Sequence, residues 1–503
     1  MSWRAKAPAE QLPVRPTRRG WMGRGGGYDA LLPNMPMWRG TSVQVCGLNP
    51  WRVGAGAPSI GVPLGRHLWT GATVGVDPIS WFDEAGFIGN PSAFILGLPG
   101  MGKSTIIRQW ALFYDAFGIN TMVLGDLKPD MVETIKALGG QVISIGHGRG
   151  YLNVLDPGDV ITRSAALPPA ERAAILADAH QRRVTMLSAL LTISRGSEPT
   201  DRETSIMDAA LHVLDDTHQG VPVIADMLRV IQEGPEPVRA VAVDRGDWSK
   251  YQAIIEPLEA SLIAMTTGGR LGEVFSRQTT TPMMMDRSVV YDLSGIDKQD
   301  TDLRAAALMA CWANGFSAIS LDQKLADHGL VPRRPWLVVM DELWMALRSG
   351  PGQVERADTL TRLNRNEGVG QVCASHTMSD LNALPTEEDR SKARGFIERA
   401  GMVICGALPQ TEMAMLNEVV PFSASERALV SGWVSPPSWG ARPGSHSGQP
   451  PGLGKFLVKV GGRAGIPLQT FLTPTSAAVN DTNTRWAGRA EAARQRREQE
   501  ARA

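Results

Sequence analysis

The chain has 503 residues, with 51 Lys plus Arg balanced by 51 Asp plus Glu, so its formal net charge is zero. No global field draws it to nucleic acid or to an anionic membrane, and any such contact needs a local patch. An apolar content of 43% suits a large core, and the length favours several structural units rather than one.

The four cysteines, Cys46, Cys311, Cys373 and Cys405, show no CxxC spacing, and the eight histidines form no H-E-x-x-H. That usage fits reduced thiols in a cytosolic protein. No apolar run is long enough to cross a bilayer, and the N-terminus lacks the apolar stretch of a signal peptide. The expectation is a cytoplasmic protein that reaches the inner face of the cell membrane only peripherally, through partners.

Residues 1–60 are rich in Gly, Pro and Arg and predict a flexible basic arm. Arg15, Arg18, Arg19 and Arg24 there could touch DNA or acidic lipid, or simply be solvated. Residues 61–90 predict a short β-hairpin or cap against the domain that follows. Residues 93–96 form an apolar run that reads as a buried strand. Next comes Gly97-Leu98-Pro99-Gly100-Met101-Gly102-Lys103-Ser104-Thr105, which fits G-x-x-x-x-G-K-[ST] and leads into a helix. Strand, loop and helix are the setting this motif needs. The glycines let successive N–H groups face a phosphate, and the helix N-terminus adds positive dipole. Lys103 then reaches the β- and γ-phosphates and Ser104 a magnesium ion.

Residues 121–126 give a second strand, ending in Asp126. Residues 130–138 read as helix and 141–145 as strand. This alternation predicts an α/β domain with a mostly parallel sheet, in which polar residues at strand C-termini face the ligand crevice.

Strand signals vanish over 160–285. Residues 170–192 read as helix, Thr200 and Glu203 as a capping box, and Pro222 as the first turn of another helix. Residues 251–265 are amphipathic. The span is expected to be an all-α insertion that splits the nucleotide domain into 91–159 and 286–475. Strands return at 288–293, 336–340, 369–375, 402–405 and 456–460. Ser423 and Glu426 make a second capping box, 435–452 a loop, and 476–503 a polar tail.

At the end of the 336–340 run stand Asp341 and Glu342, the Walker B pattern. Asp341 would hold magnesium, and Glu342 would orient or deprotonate the attacking water. The pair implies an ATPase rather than a passive binder. His376, after the 369–375 strand, is the candidate sensor of the γ-phosphate. Arg362 and Arg365 are candidate fingers acting in a neighbouring subunit, with Arg270 and Arg277 as rivals.

The chain resembles the VirB-four/TraC-like ATPases of type IV secretion, within the FtsK–HerA superfamily of RecA-like motors. The marks are Asn90-Pro91-Ser92-Ala93-Phe94, Gly139-Gly140-Gln141-Val142-Ile143, Asn153-Val154-Leu155-Asp156, Gly272-Glu273-Val274-Phe275, Asp341-Glu342-Leu343-Trp344 and Ser379-Asp380-Leu381. The resemblance implies a RecA-like P-loop NTPase using ATP and Mg2+, hexameric, on the cytoplasmic face of a conjugation channel. It would power assembly or substrate transfer, with channel proteins and DNA as partners. The family often has Gln where His376 stands, usually Asn-Pro where Asn153-Val154 stands, and a large docking domain before the P-loop. The alternatives are an FtsK/HerA-like DNA translocase or soluble coupling protein, and a scaffold that binds ATP without turnover.

Overall fold

The computed structural model describes residues 56–476, apart from 267–268, 270, 350–351, 362–367, 385, 437–449 and 474–475. The expectations for residues 1–55, for Arg270, Arg362 and Arg365, for the middle of the 435–452 loop and for 477–503 therefore lie outside the described residues.

The strands are β1 (Pro63–His67), β2 (Thr73–Gly75), β3 (Ser92–Leu96), β4 (Asn120–Asp126), β5 (Gln141–Ser144) and β6 (Val289–Asp292). They continue with β7 (Trp336–Met340), β8 (Val369–Ser375), β9 (Met402–Cys405), β10 (Lys455–Lys459) and β11 (Ile466–Thr470). All join one 11-stranded sheet in the order β2-β1-β11-β10-β9-β3-β8-β7-β4-β6-β5. From β9 to β5 every pairing is parallel; from β9 through β10, β11, β1 and β2 every pairing is antiparallel. The fold is thus α/β, with a sheet that is mostly parallel. The hairpin within 61–90 does not sit on the domain as a separate cap: β1 pairs with β11 and extends the sheet.

The parallel strands read as unbroken apolar runs because both faces are buried. Along β7, Trp336, Val338 and Met340 face one core, and Leu337 and Val339 face the other. On β3, Phe94 and Leu96 divide from Ala93 and Ile95 in the same way, as the period of two demands. One core takes Ile106, Ile107 and Trp110 of the helix Lys103–Ala116; the other takes the long helix Thr301–Asp327.

Between β5 and β6 the described chain is helical, with its longest helices at Pro169–Arg195, Asp201–Thr217 and Trp248–Thr266. The Thr200–Glu203 and Ser423–Glu426 capping boxes form as the spacing predicts. The helix expected from Pro222 begins instead at Ile224. The carbonyl of Pro222 accepts a hydrogen bond from the Asn153 amide at 2.9 Å, so the proline serves the joint rather than the first turn.

Candidate functional site: a P-loop joined to Walker B through a histidine

Strand order creates the site. β8 lies between the P-loop strand β3 and the Walker B strand β7. Register pairs Leu96 with Ser375 and Met340 with Cys373, so residues 97, 341 and 376 emerge together at the C-terminal edge. The P-loop backbone is anchored on both sides: Gly97 N–H donates to the His376 carbonyl at 3.2 Å and Leu98 N–H to that of Ala407 at 3.1 Å. Gly100 and Gly102 take φ of 77° and 104°, a region in which side chains are strained, and Gly102 caps the following helix.

The side chains form a linked row. Lys103 is buried; its Nζ donates to the Gly97 carbonyl at 2.6 Å and lies 2.9 Å from His376 Nδ1. His376 Nε2 lies 3.2 Å from Glu342 Oε1. Between an ammonium on one side and a carboxylate on the other, the ring accepts at Nδ1 and donates from Nε2. Lys128 Nζ donates to the same Glu342 oxygen at 2.9 Å, and the Trp344 indole donates to Oε2 at 2.7 Å. Glu342 itself sits in left-handed backbone, φ 52°. That is strain of about 1 kcal/mol or more, held in place by these contacts.

Electrostatics follow the geometry. Burial lowers the Lys103 ammonium, against the pull of Asp341 and Glu342. Burial would raise the Glu342 carboxyl, but hydrogen bonds from His376 and Lys128 and the charge of the Lys128 ammonium outweigh it and hold the group far below the usual carboxylate range. Asp341 is pushed up to about 6, first by burial and then by the adjacent Glu342 charge. Asp126 is pushed up to about 7, chiefly by burial, although it accepts the Met131 N–H at 2.7 Å.

Five further residues join the site without a motif to announce them. The turn after β4 carries Lys128 to Glu342 and Asp130 to the P-loop, where Ser104 Oγ donates to Asp130 Oδ2 at 3.3 Å. Arg108 donates to the Asp130 carbonyl at 2.9 Å and fixes that turn. Glu412 accepts the N–H groups of Met378 and Ser379 at 2.7 and 3.2 Å, anchoring the chain beyond His376. Arg304, in the first turn of Thr301–Asp327, is 8% exposed and makes no hydrogen bond or ion pair with its guanidinium among the described residues, yet it feels the Glu342 and Asp297 charges. The only signal in sequence was Asp-x-Lys-Pro-Asp directly after a strand.

The other expected residues fall as follows. Pro99, Met101 and Thr105 lie on or beside the loop, and the Met101 carbonyl accepts Gly454 N–H at 3.0 Å. Arg277 packs over the Tyr151 ring at 4.9 Å and donates to its hydroxyl at 3.1 Å, away from the row just described.

No family model matches the sequence, and no curated protein matches it. Solved structures do. VirB4 of Thermoanaerobacter pseudethanolicus is 16% identical, with a TM-score of 0.62 over 83% of this chain and 98% of that one. The plasmid coupling protein TrwB in complex with ADP and Mg2+ is 12% identical, with a TM-score of 0.46 over 76% of this chain and 85% of that one. The chain has the fold of VirB4, an α/β fold with a mostly parallel sheet and a P-loop at its C-terminal edge.

Proposed function

We propose that the chain is an ATP-hydrolysing motor of a conjugative type IV secretion system, powering apparatus assembly or the transfer of DNA or protein. One observation carries the reading: in a chain with the fold of VirB4, His376 links the P-loop lysine to the carboxylate after the Walker B strand. A site that only held nucleotide would have no use for a strained, triply held glutamate.

The residues fit a nucleoside triphosphate with Mg2+. Left-handed Gly100 and Gly102 open the loop backbone, Lys103 stands across it, and Ser104 and Asp341 supply hard oxygen donors. Bound there, the ion would offset charge on the phosphates. Lys103 would leave His376 and Gly97 for the phosphate oxygens. Glu342 would orient a water and take its proton as the water oxygen bonds to the γ-phosphorus and the bond to the ADP oxygen breaks. His376, donating to Glu342 from Nε2, would fix where that carboxylate points.

On the same reading the chain works as a hexamer at the inner face of the membrane, bound to channel proteins and in contact with DNA. Arg362 or Arg365 would reach a neighbour's site. None of its described helices is long and apolar enough to cross a membrane.

The test pairs two variants with two assays. Glu342→Gln is expected to keep ATP binding and lose turnover by about 100-fold or more, and to fail to restore plasmid transfer to donor cells lacking the chain. Lys103→Ala is expected to lose binding. Wild-type turnover with Glu342→Gln would remove Glu342 as the base, and absence of turnover in the wild type would end the ATPase assignment. Full transfer by a turnover-dead variant would end the motor assignment alone.

A further inference from the structure

Away from the nucleotide site, two helices of the 160–285 span bring together a donor set that no spacing in the sequence announces. His180 lies on Pro169–Arg195, whereas Asp208, His212 and Asp215 lie on Asp201–Thr217. Their spacing of i, i+4 and i+7 puts those three on one face of the second helix. Ligand atoms of His180, His212 and Asp215 all lie within 4.8 Å of one another.

Two of the three are oriented from behind. His180 is buried, with Nε2 2.9 Å from Asp208 Oδ1, which turns Nδ1 to within 3.2 Å of Asp215 Oδ2. A carboxylate on the far nitrogen of a histidine is the arrangement that sets tautomer and ring direction at metal sites. Arg183 donates to both Asp215 oxygens, at 2.7 and 2.6 Å, and fixes that carboxylate; a carboxylate keeps further lone pairs for an ion. The His212 ring stacks on His180 at 3.8 Å, and its nitrogens make no hydrogen bond among the described residues. A purely structural ion-pair network would need Asp208, His180, Asp215 and Arg183, but not an exposed imidazole with free nitrogens at its edge.

The geometry points to a surface site for a first-row divalent transition metal, with His180, His212 and Asp215 as ligands and Asp208 and Arg183 behind them. Two imidazoles and one carboxylate favour Zn2+, Co2+ or Ni2+ over Mg2+ or Ca2+, which prefer all-oxygen sites. Three protein ligands leave positions for water or for a donor from another molecule. Bound metal would tie the two helices together across their exposed edge.

The probes are Zn2+ by titration calorimetry and Co2+ by visible absorption, on the full chain in Mg2+-containing buffer. One zinc per chain is expected, with ligand-field bands on Co2+ addition and a higher Tm with Zn2+. His212→Ala should abolish all three; the residue is exposed, so the variant should fold, as checked by circular dichroism. Asp208→Asn should keep the stoichiometry and weaken binding by about 10–100-fold. Absence of binding in the wild type, or binding unchanged in both His212→Ala and Asp215→Asn, overturns the site.

Discussion

His376 Nε2 stands 3.2 Å from Glu342 Oε1, while Nδ1 of the same ring stands 2.9 Å from Lys103 Nζ. The contact exists because β8 is inserted between β3 and β7, so one imidazole spans the gap between two motifs. Lys103 cannot move to a phosphate without giving up the ring, and the ring cannot move without releasing Glu342. On the proposed function, nucleotide entry and the direction of the Glu342 carboxylate would be mechanically linked.

His376 is expected to act by position. His376→Gln retains a donor and an acceptor on one side chain and should keep most turnover. His376→Ala should lower kcat by about 100-fold with little change in ATP affinity, since Lys103 and the loop remain. Steady-state kinetics beside an ATP-binding titration separate the two. Equal losses in both variants would show that the ring itself, not the bridge, is needed.

Glu412 offers a subtler test. It holds the backbone of Met378 and Ser379 beyond His376. Glu412→Ala leaves the buried Met378 N–H unsatisfied, at about 1–3 kcal/mol, and should loosen the His376 segment. Both Tm and kcat should fall, with the kcat loss smaller than for His376→Ala. A full loss of ATP binding instead would mean that Glu412 supports the P-loop through another route.

Asp126 makes stability depend on pH. Its carboxyl moves from an ordinary 3.8 to about 7 on folding, so between those values the folded chain holds more protons than the unfolded one. Stability from this group is therefore present below pH 4 and is lost as pH rises through 7. At about 1.4 kcal/mol per unit, the loss amounts to a few kcal/mol at most. Asp126→Asn keeps an oxygen for the Met131 N–H and cannot ionise. Melts of nucleotide-free protein should show it less sensitive than the wild type between pH 5 and 8. Parallel curves would remove Asp126 as the cause.

What was legible in the sequence divides along physical lines. The parallel strands were plain because burial on both faces leaves nothing but apolar residues, as in β7. β11 was not, because Pro467 sits where a strand normally needs a donor; it nonetheless pairs with both β1 and β10. P-loop and Walker B were legible because their chemistry is local. Lys128 and Asp130 were not, since their partners Glu342 and Ser104 meet them only when the turn after β4 folds over the loop. His180, His212 and Asp215 escaped for the same reason.

Arg304 gives the sharpest separation of stability from function. A residue 8% exposed, whose buried Nε finds no acceptor among the described residues, costs free energy in the resting protein. Burial indeed lowers its pKa, only partly offset by the Glu342 and Asp297 charges. If Arg304 served the fold alone, an apolar side chain of similar length would do better. Arg304→Met should then raise the stability of nucleotide-free protein by roughly 1–3 kcal/mol. If it waits for charge that arrives with nucleotide, the same variant should also lose turnover and lose the extra stabilisation that ATP gives the wild type. Denaturant melts with and without ATP, alongside an ATPase assay, read both effects. A destabilised variant with unchanged turnover would show instead that Arg304 is a packing residue of the helix Thr301–Asp327.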